Sequence, residues 1–329
     1  MSSSSVETHV LIPKNLFSMK STSASPLQLV QSSNLPRGIS SVRALPDAEL
    51  AALWDSIVVE DGVKDRLLAQ AVLNYTLRPK VARSVLPMHG VILLVGPPGT
   101  GKTSLAKGLA SKVAALIKGP NFRLVEVDPH ALTSSAMGKT QRAVGELFSQ
   151  SIAEQAVNGP TVVLLDEVET LAADRTKMSL EANPVDIHRA TDAVLVQLDA
   201  LAASHPQLLF LATSNFPLAI DQAFTSRCDL VVEVPLPGAQ AARQILRQCL
   251  GGVGETFPSI AKLADSRELE RVAEMAAGLD GRTLRKLVVN AMALRKETAL
   301  DPNKLALADL EVAARNAQSS RVAASGENQ

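Results

Sequence analysis

The sequence predicts a doubly wound α/β domain built on a parallel five-stranded sheet, followed by a small all-helical domain. Three observations carry this. Five short runs, at residues 90–96, 122–128, 161–167, 207–215 and 229–235, are rich in Val and Leu. Runs of that length, alternating with helical stretches, are the buried strands of a parallel sheet, whose crossover helices cover both faces. The octapeptide "GPPGTGKT" at 96–103 follows the first run directly, and beyond "PLPG" at 235–238 only helical periodicity remains.

In chain order, residues 1–46 form an N-terminal segment rich in Ser, with Lys14, Lys20, Arg37 and Arg43 set against little acid. That composition suits an organelle transit segment, and equally a tail that docks an adaptor or substrate. Within it "VETHVLIP" and "SPLQLVQ" alternate like short strands, which suits an ordered element instead. The large domain is expected over 47–236. It opens with "DAELAALWDSIVVEDGVKDRLLAQAVLNY", helical in spacing except for a break at "SIVVEDG", so two helices precede the first strand. The helical domain is expected over 237–318, from "AQAARQILRQCL", "SRELERVAEMAAG", "GRTLRKLVVNAMALRKETAL" and "LALADLEVAARNAQ". Residues 319–329 read as a polar, fraying tail.

Composition narrows the function. Lys plus Arg equals Asp plus Glu, 33 against 33, and there is one Trp and one Tyr. Neither a basic groove nor a row of stacking platforms is available, so nucleic acid is not expected as a partner. Cys228, Cys249 and the five His residues show no disulfide or zinc spacing, which suits a reducing compartment. No apolar run approaches the roughly 18 residues that span a bilayer. A cytoplasmic protein with no membrane partner is the expectation.

Phosphoryl transfer asks a protein for positioning and charge rather than covalent chemistry, so its parts can be sought one by one. "GPPGTGKT" meets the spacing of a phosphate loop: Gly96, Pro97, Pro98, Gly99, Thr100 and Gly101 wrap the phosphates. Lys102 then reaches the β and γ phosphates, and Thr103, with Ser104 after it, opens the helix with a hydroxyl for Mg²⁺. "TVVLLDE" brings Asp166 and Glu167 to the end of a buried strand, where ligands bind in open α/β sheets. Asp166 is placed to complete the metal shell and Glu167 to polarise water. Asn215, or less favourably Ser214 beside it, ends the next strand and is placed to fix that water or sense the γ-phosphate. Arg227 in "SRCD" and Arg282 in "GLDGRTLRKL" read together as clamps on the γ-phosphate. A second GKT, Gly138 to Thr140 in "HALTSSAMGKTQ", is no phosphate loop, because the opening glycine would fall at position 133, which is Thr133.

This set of motifs resembles the AAA+ ATPases over about 47–318. The resemblance implies ATP and Mg²⁺ as cofactors, a helical lid, and a ring, usually a homo-hexamer, with nucleotide between subunits. By motif match Lys102 and Thr103 are Walker A, Asp166 and Glu167 Walker B, Asn215 sensor one, Arg227 the finger reaching a neighbour's ATP, and Arg282 sensor two. "GPPGTGKTSLAKGLA", "LLDEVETLAADR", "ATSNFPLAIDQAFTSRCD" and "GLDGRTLRKL" are similar to the pachytene-checkpoint family, the AAA+ remodellers of HORMA-domain proteins. That likeness implies an enzyme that spends ATP to unfold a HORMA protein partially and dissociate its complexes. The short N-terminal segment favours a compact bacterial member, of the kind found in anti-phage systems with a HORMA protein and a cyclic-oligonucleotide synthase. The family likeness also implies a substrate-gripping pore loop at Ser135, Ala136 and Met137, where the usual aromatic is missing, with Lys139 near the channel. The competing readings are a nucleotide-switched scaffold with little turnover and an AAA+ motor for a non-HORMA client.

Overall fold

The computed structural model describes residues 35–132, 139–172 and 184–326. Its single sheet has six strands: β1 Ile39–Ala44, β2 Val91–Val95, β3 Arg123–Val127, β4 Thr161–Leu165, β5 Leu208–Ser214 and β6 Leu230–Glu233. Their order is β1-β3-β4-β5-β2-β6. All five expected strands are present, and they run parallel. The sheet is nevertheless mixed, because β1 joins the edge antiparallel to β3. "ISSVRA" escaped the sequence reading for a physical reason. At the edge only Ile39 is buried, so pairing rests on backbone hydrogen bonds and leaves no apolar run. Residues 39–44, read as part of a separate N-terminal segment, thus belong to the sheet.

Every residue of β2, β4 and β5 is buried, which explains their near-continuous apolar composition. Alternate residues feed opposite faces. Leu93, Val163 and Phe210 pack with Phe148, Val194 and Leu198 on one side. Ile92, Leu94, Val162 and Leu211 pack on the other with Trp54, Leu67, Leu105 and Leu109. The two expected leading helices are Ala48–Ser56 and Val63–Thr76.

The C-terminal helices enclose a third core around Leu246, Leu250, Ile260, Leu284, Leu287 and Leu310. Its last helix, Leu307–Gly326, continues through much of the segment read as a fraying tail. Gln318 Nε2 donates to the carbonyls of Met275 and Ala277, and Arg321 Nη1 to that of Gly278, so long polar side chains tie the helix down where apolar ones are missing. Among the described residues no helix is long and apolar enough to cross a membrane.

The strand order does the positioning. β5 lies between β2 and β4, so three loops leave the same edge of the sheet side by side: the phosphate loop after β2, the acids after β4 and Asn215 after β5.

Candidate nucleotide site

The phosphate loop is shaped by contacts that only glycine permits at two points. Gly96 has φ 147° and a Cβ there would lie 2.2 Å from the Val234 carbonyl oxygen. At Gly99, φ is 78° and a Cβ would lie 2.2 Å from Asp280 Oδ1, on the lid. Lys102 begins the helix Lys102–Ile117 and is 5% exposed. Its ammonium donates to the carbonyls of Gly96 and Pro97, each at 2.8 Å. Burial pulls its pKa below the usual lysine value, and the carboxylates of Glu169, Asp166 and Glu167 oppose that.

Thr103 Oγ1 donates to Asp166 Oδ1 at 2.8 Å, and Thr213 Oγ1 donates to the same oxygen. The backbone N–H of Glu167 donates to Thr213 Oγ1 at 3.2 Å. Glu167 has φ 53°, a left-handed backbone rare for a residue with a side chain, and such outliers gather at functional sites. Asn215 Nδ2 donates to Glu167 Oε1 at 3.3 Å, while Asn215 N–H donates to Glu169 Oε1 at 3.1 Å. His130 Nε2 lies 3.6 Å from Glu167 Oε2. Ser214 is fully buried and its hydroxyl accepts from Phe216 N–H, so Asn215 is the residue that reaches the cavity.

These groups line a cavity of about 500 Å³ between the two domains, within the range of small-molecule and cofactor sites. Pro98 to Ser104, Asp166, Glu167, Thr213, Asn215 and Arg282 form its polar end. Ile57, Val58, Val59, Leu236, Ala241 and Ile245 form an apolar end suited to a flat ring. Asp166 and Thr103 fit a magnesium ion: two hard oxygens at the mouth of the phosphate loop. Among the described residues no group of three or more His, Cys, Asp or Glu is assembled for a metal.

The lid closes the cavity through Arg282, whose N–H donates to the Gly99 carbonyl, and through Arg285, whose Nη2 donates to the Ser56 carbonyl at 2.5 Å. Arg227 lies elsewhere. Its guanidinium grips Asp199 through Nε at 3.0 Å and Nη2 at 2.7 Å, and it is not among the residues lining the cavity. Ser135, Ala136 and Met137 fall outside the described residues, while Lys139 and Thr140 open the helix Lys139–Glu146.

The sequence reading missed several participants. Thr213 adjoins Ser214, and a hydroxyl closing an otherwise apolar strand was its signal; Glu169, two residues beyond Glu167, is one more acid in an acid-rich turn and had none of its own. The apolar end, Ile57 to Val59, was visible only as the break between two helices. Asp280 and Arg285 carry no signal separable from an ordinary capped helix.

Residues 92–236 match the ATPase family associated with various cellular activities (AAA). The chain is 63% identical over 288 residues to CD-NTase-associated protein 6 of Pseudomonas aeruginosa, covering 88% of this chain and 95% of that protein. It is 36% identical to the Pachytene checkpoint protein 2 homolog of Oryza sativa subsp. indica, over 74% of this chain and 59% of that one. A chain of the E. coli MS115-1 HORMA:CdnC:Trip13 complex shares the fold, with a TM-score of 0.70 at 19% identity, over 84% of this chain and 94% of that one.

Proposed function

Since the chain belongs to the AAA ATPases, in the branch of the pachytene checkpoint proteins and CD-NTase-associated protein 6, we propose that it hydrolyses ATP in a homo-hexameric ring to remodel a HORMA-domain protein. The observation that carries the chemistry is the meeting of Lys102, the Thr103–Asp166 pair and the Asn215–Glu167 pair at one end of one cavity. Lys102 exchanges the Gly96 and Pro97 carbonyls for the β and γ phosphates. Thr103 and Asp166 hold Mg²⁺, which supplies charge neutralisation on the phosphate oxygens. Glu167 takes the proton of the attacking water, and Asn215 fixes the carboxylate that does so. Arg282 meets the γ-phosphate from the lid of the same subunit. Arg227, outside its own cavity, acts on the ATP of a neighbour.

The client assignment draws on the E. coli complex, which holds HORMA, CdnC and Trip13 together. We assign the same kind of partners to this chain: a HORMA protein engaged with a cyclic-oligonucleotide synthase, as in bacterial anti-phage signalling. Ser135, Ala136, Met137 and Lys139 are the stretch we assign to gripping it.

The test pairs client release with turnover. Wild-type protein with ATP and Mg²⁺ should separate a HORMA protein from its bound partner, and Glu167→Gln should bind the same complex without releasing it. Release by Glu167→Gln at the wild-type rate, or ATP turnover that no HORMA complex couples to, would contradict the proposal.

A further inference from the structure

Arg227 is held more completely than a reaching side chain needs to be. A guanidinium has five N–H donors. In Arg227, Nε donates to Asp199 Oδ1, Nη2 to Asp199 Oδ2 and Nη1 to the Ala223 carbonyl, at 3.0, 2.7 and 2.7 Å. Among the described residues Arg227 has no further partner, which leaves two donors, one on each terminal nitrogen, and this pair matches two oxygens of a phosphate. Asp199 is itself fixed. It sits on the helix Pro184–Ser204, its carbonyl accepts from Arg83 Nη1 at 3.2 Å, and His89 Nε2 lies 3.3 Å from its Oδ1. The Asp199 carboxyl is held below the usual aspartate range, first by its hydrogen bond from Arg227, so it stays charged.

We propose that Asp199 is a positioning residue for Arg227, clasping one edge of the guanidinium so that its two remaining donors are presented as a pair to the phosphate of an adjoining subunit. This rests on the reading of Arg227 as a finger acting in trans. The physical gain is preorganisation. An unclasped arginine spreads over many rotamers and loses that freedom during the reaction, whereas a clasped one has lost it on folding. The contrary arrangement, a latch in which Asp199 sequesters Arg227 until the ring forms, makes the opposite prediction for the same variant.

The experiment is steady-state turnover and nucleotide affinity of full-length Asp199→Asn, Arg227→Ala and the double variant, followed by mixed rings. Asp199→Asn keeps size but loses charge and one acceptor. Its turnover should fall roughly tenfold or more, short of the thousandfold or larger loss expected on removing a finger, with nucleotide affinity unchanged. The double variant should be no worse than Arg227→Ala, because both changes act through one group. Mixing Asp199→Asn with Lys102→Ala subunits should recover turnover, since an intact phosphate loop then meets an intact clasped finger. Mixing it with Arg227→Ala should recover none. Asp199→Glu, which keeps the charge, should lie between Asn and wild type, and thermal melting of all variants excludes loss of fold. Wild-type or faster turnover in Asp199→Asn, with Arg227→Ala inactive, overturns the clasp while leaving the finger standing. Wild-type turnover in Arg227→Ala overturns the finger itself.

Discussion

At Gly99 the phosphate loop meets the lid, whose Arg282 N–H donates to its carbonyl at 3.2 Å, and replacing it with alanine tests whether the cavity works only when the lid is seated. Two penalties add. The φ of 78° is left-handed, which costs an L-residue about 1 to 2 kcal/mol. The new methyl would also lie 2.2 Å from Oδ1, 2.6 Å from Cγ and 3.0 Å from Cβ of Asp280. Asp280 must then move, and it caps the helix Gly281–Met292 by accepting from the N–H groups of Arg282 and Thr283 at 3.0 Å. Loss of such a cap costs about 1 kcal/mol. The sum is about 2 to 3 kcal/mol. Borne wholly by the closed, nucleotide-bound form, that sum weakens affinity roughly 30- to 150-fold; the Asp280 share alone, about 1 kcal/mol, weakens it roughly fivefold. Titration of a fluorescent nucleotide reads this directly, with melting scans to confirm that the fold survives. Gly145→Ala is the control, since nothing lies within 4 Å of its added carbon, and its affinity should match wild type. Wild-type affinity in Gly99→Ala would refute the idea that lid and loop bind nucleotide together.

Two further outcomes follow from the same geometry. Arg227→Ala and Lys102→Ala subunits, each inactive alone, should regain part of the turnover when mixed, because one kind of interface then carries an intact loop and an intact finger; no recovery in demonstrably mixed rings would contradict action in trans. Ala136→Asp with Met137→Asp should abolish client release while leaving basal ATP turnover largely intact, as should Lys139→Ala in weaker form, and a loss of nucleotide affinity in any of these would show that the stretch is not a client grip.

The parts of this molecule legible in the sequence were those where chemistry forces a residue type. Gly96, Gly101, Lys102 and Thr103 stand at fixed spacing because a backbone must fold round phosphate, and β2, β4 and β5 read as apolar because both their faces are covered. Asp166 and Glu167 were legible because carboxylates at the end of a buried run need a reason. What could not be read rests on contacts between distant segments. β1 is recruited by backbone pairing to β3, with only one buried side chain to advertise it. The Glu169–Asn215 bond joins residues on separate loops, and the Asp199 clasp joins a helix to a turn that follows the next strand. Local composition records neither. The Leu307–Gly326 helix outlasted its expected end because Gln318 and Arg321 reach back to carbonyls, a tertiary contact that polar composition disguised.

In the proposed function one cavity binds ATP through Lys102 and hydrolyses it through Glu167, which separates binding from chemistry at two side chains. The measurement is nucleotide affinity alongside steady-state hydrolysis for wild type, Lys102→Ala and Glu167→Gln. Removing the ammonium should abolish both. Glu167→Gln keeps the shape of the side chain and its place beside Asn215 but removes the base, so affinity should persist while turnover falls by roughly a hundredfold or more. Hydrolysis by Glu167→Gln at the wild-type rate, or undiminished nucleotide binding by Lys102→Ala, would contradict the account.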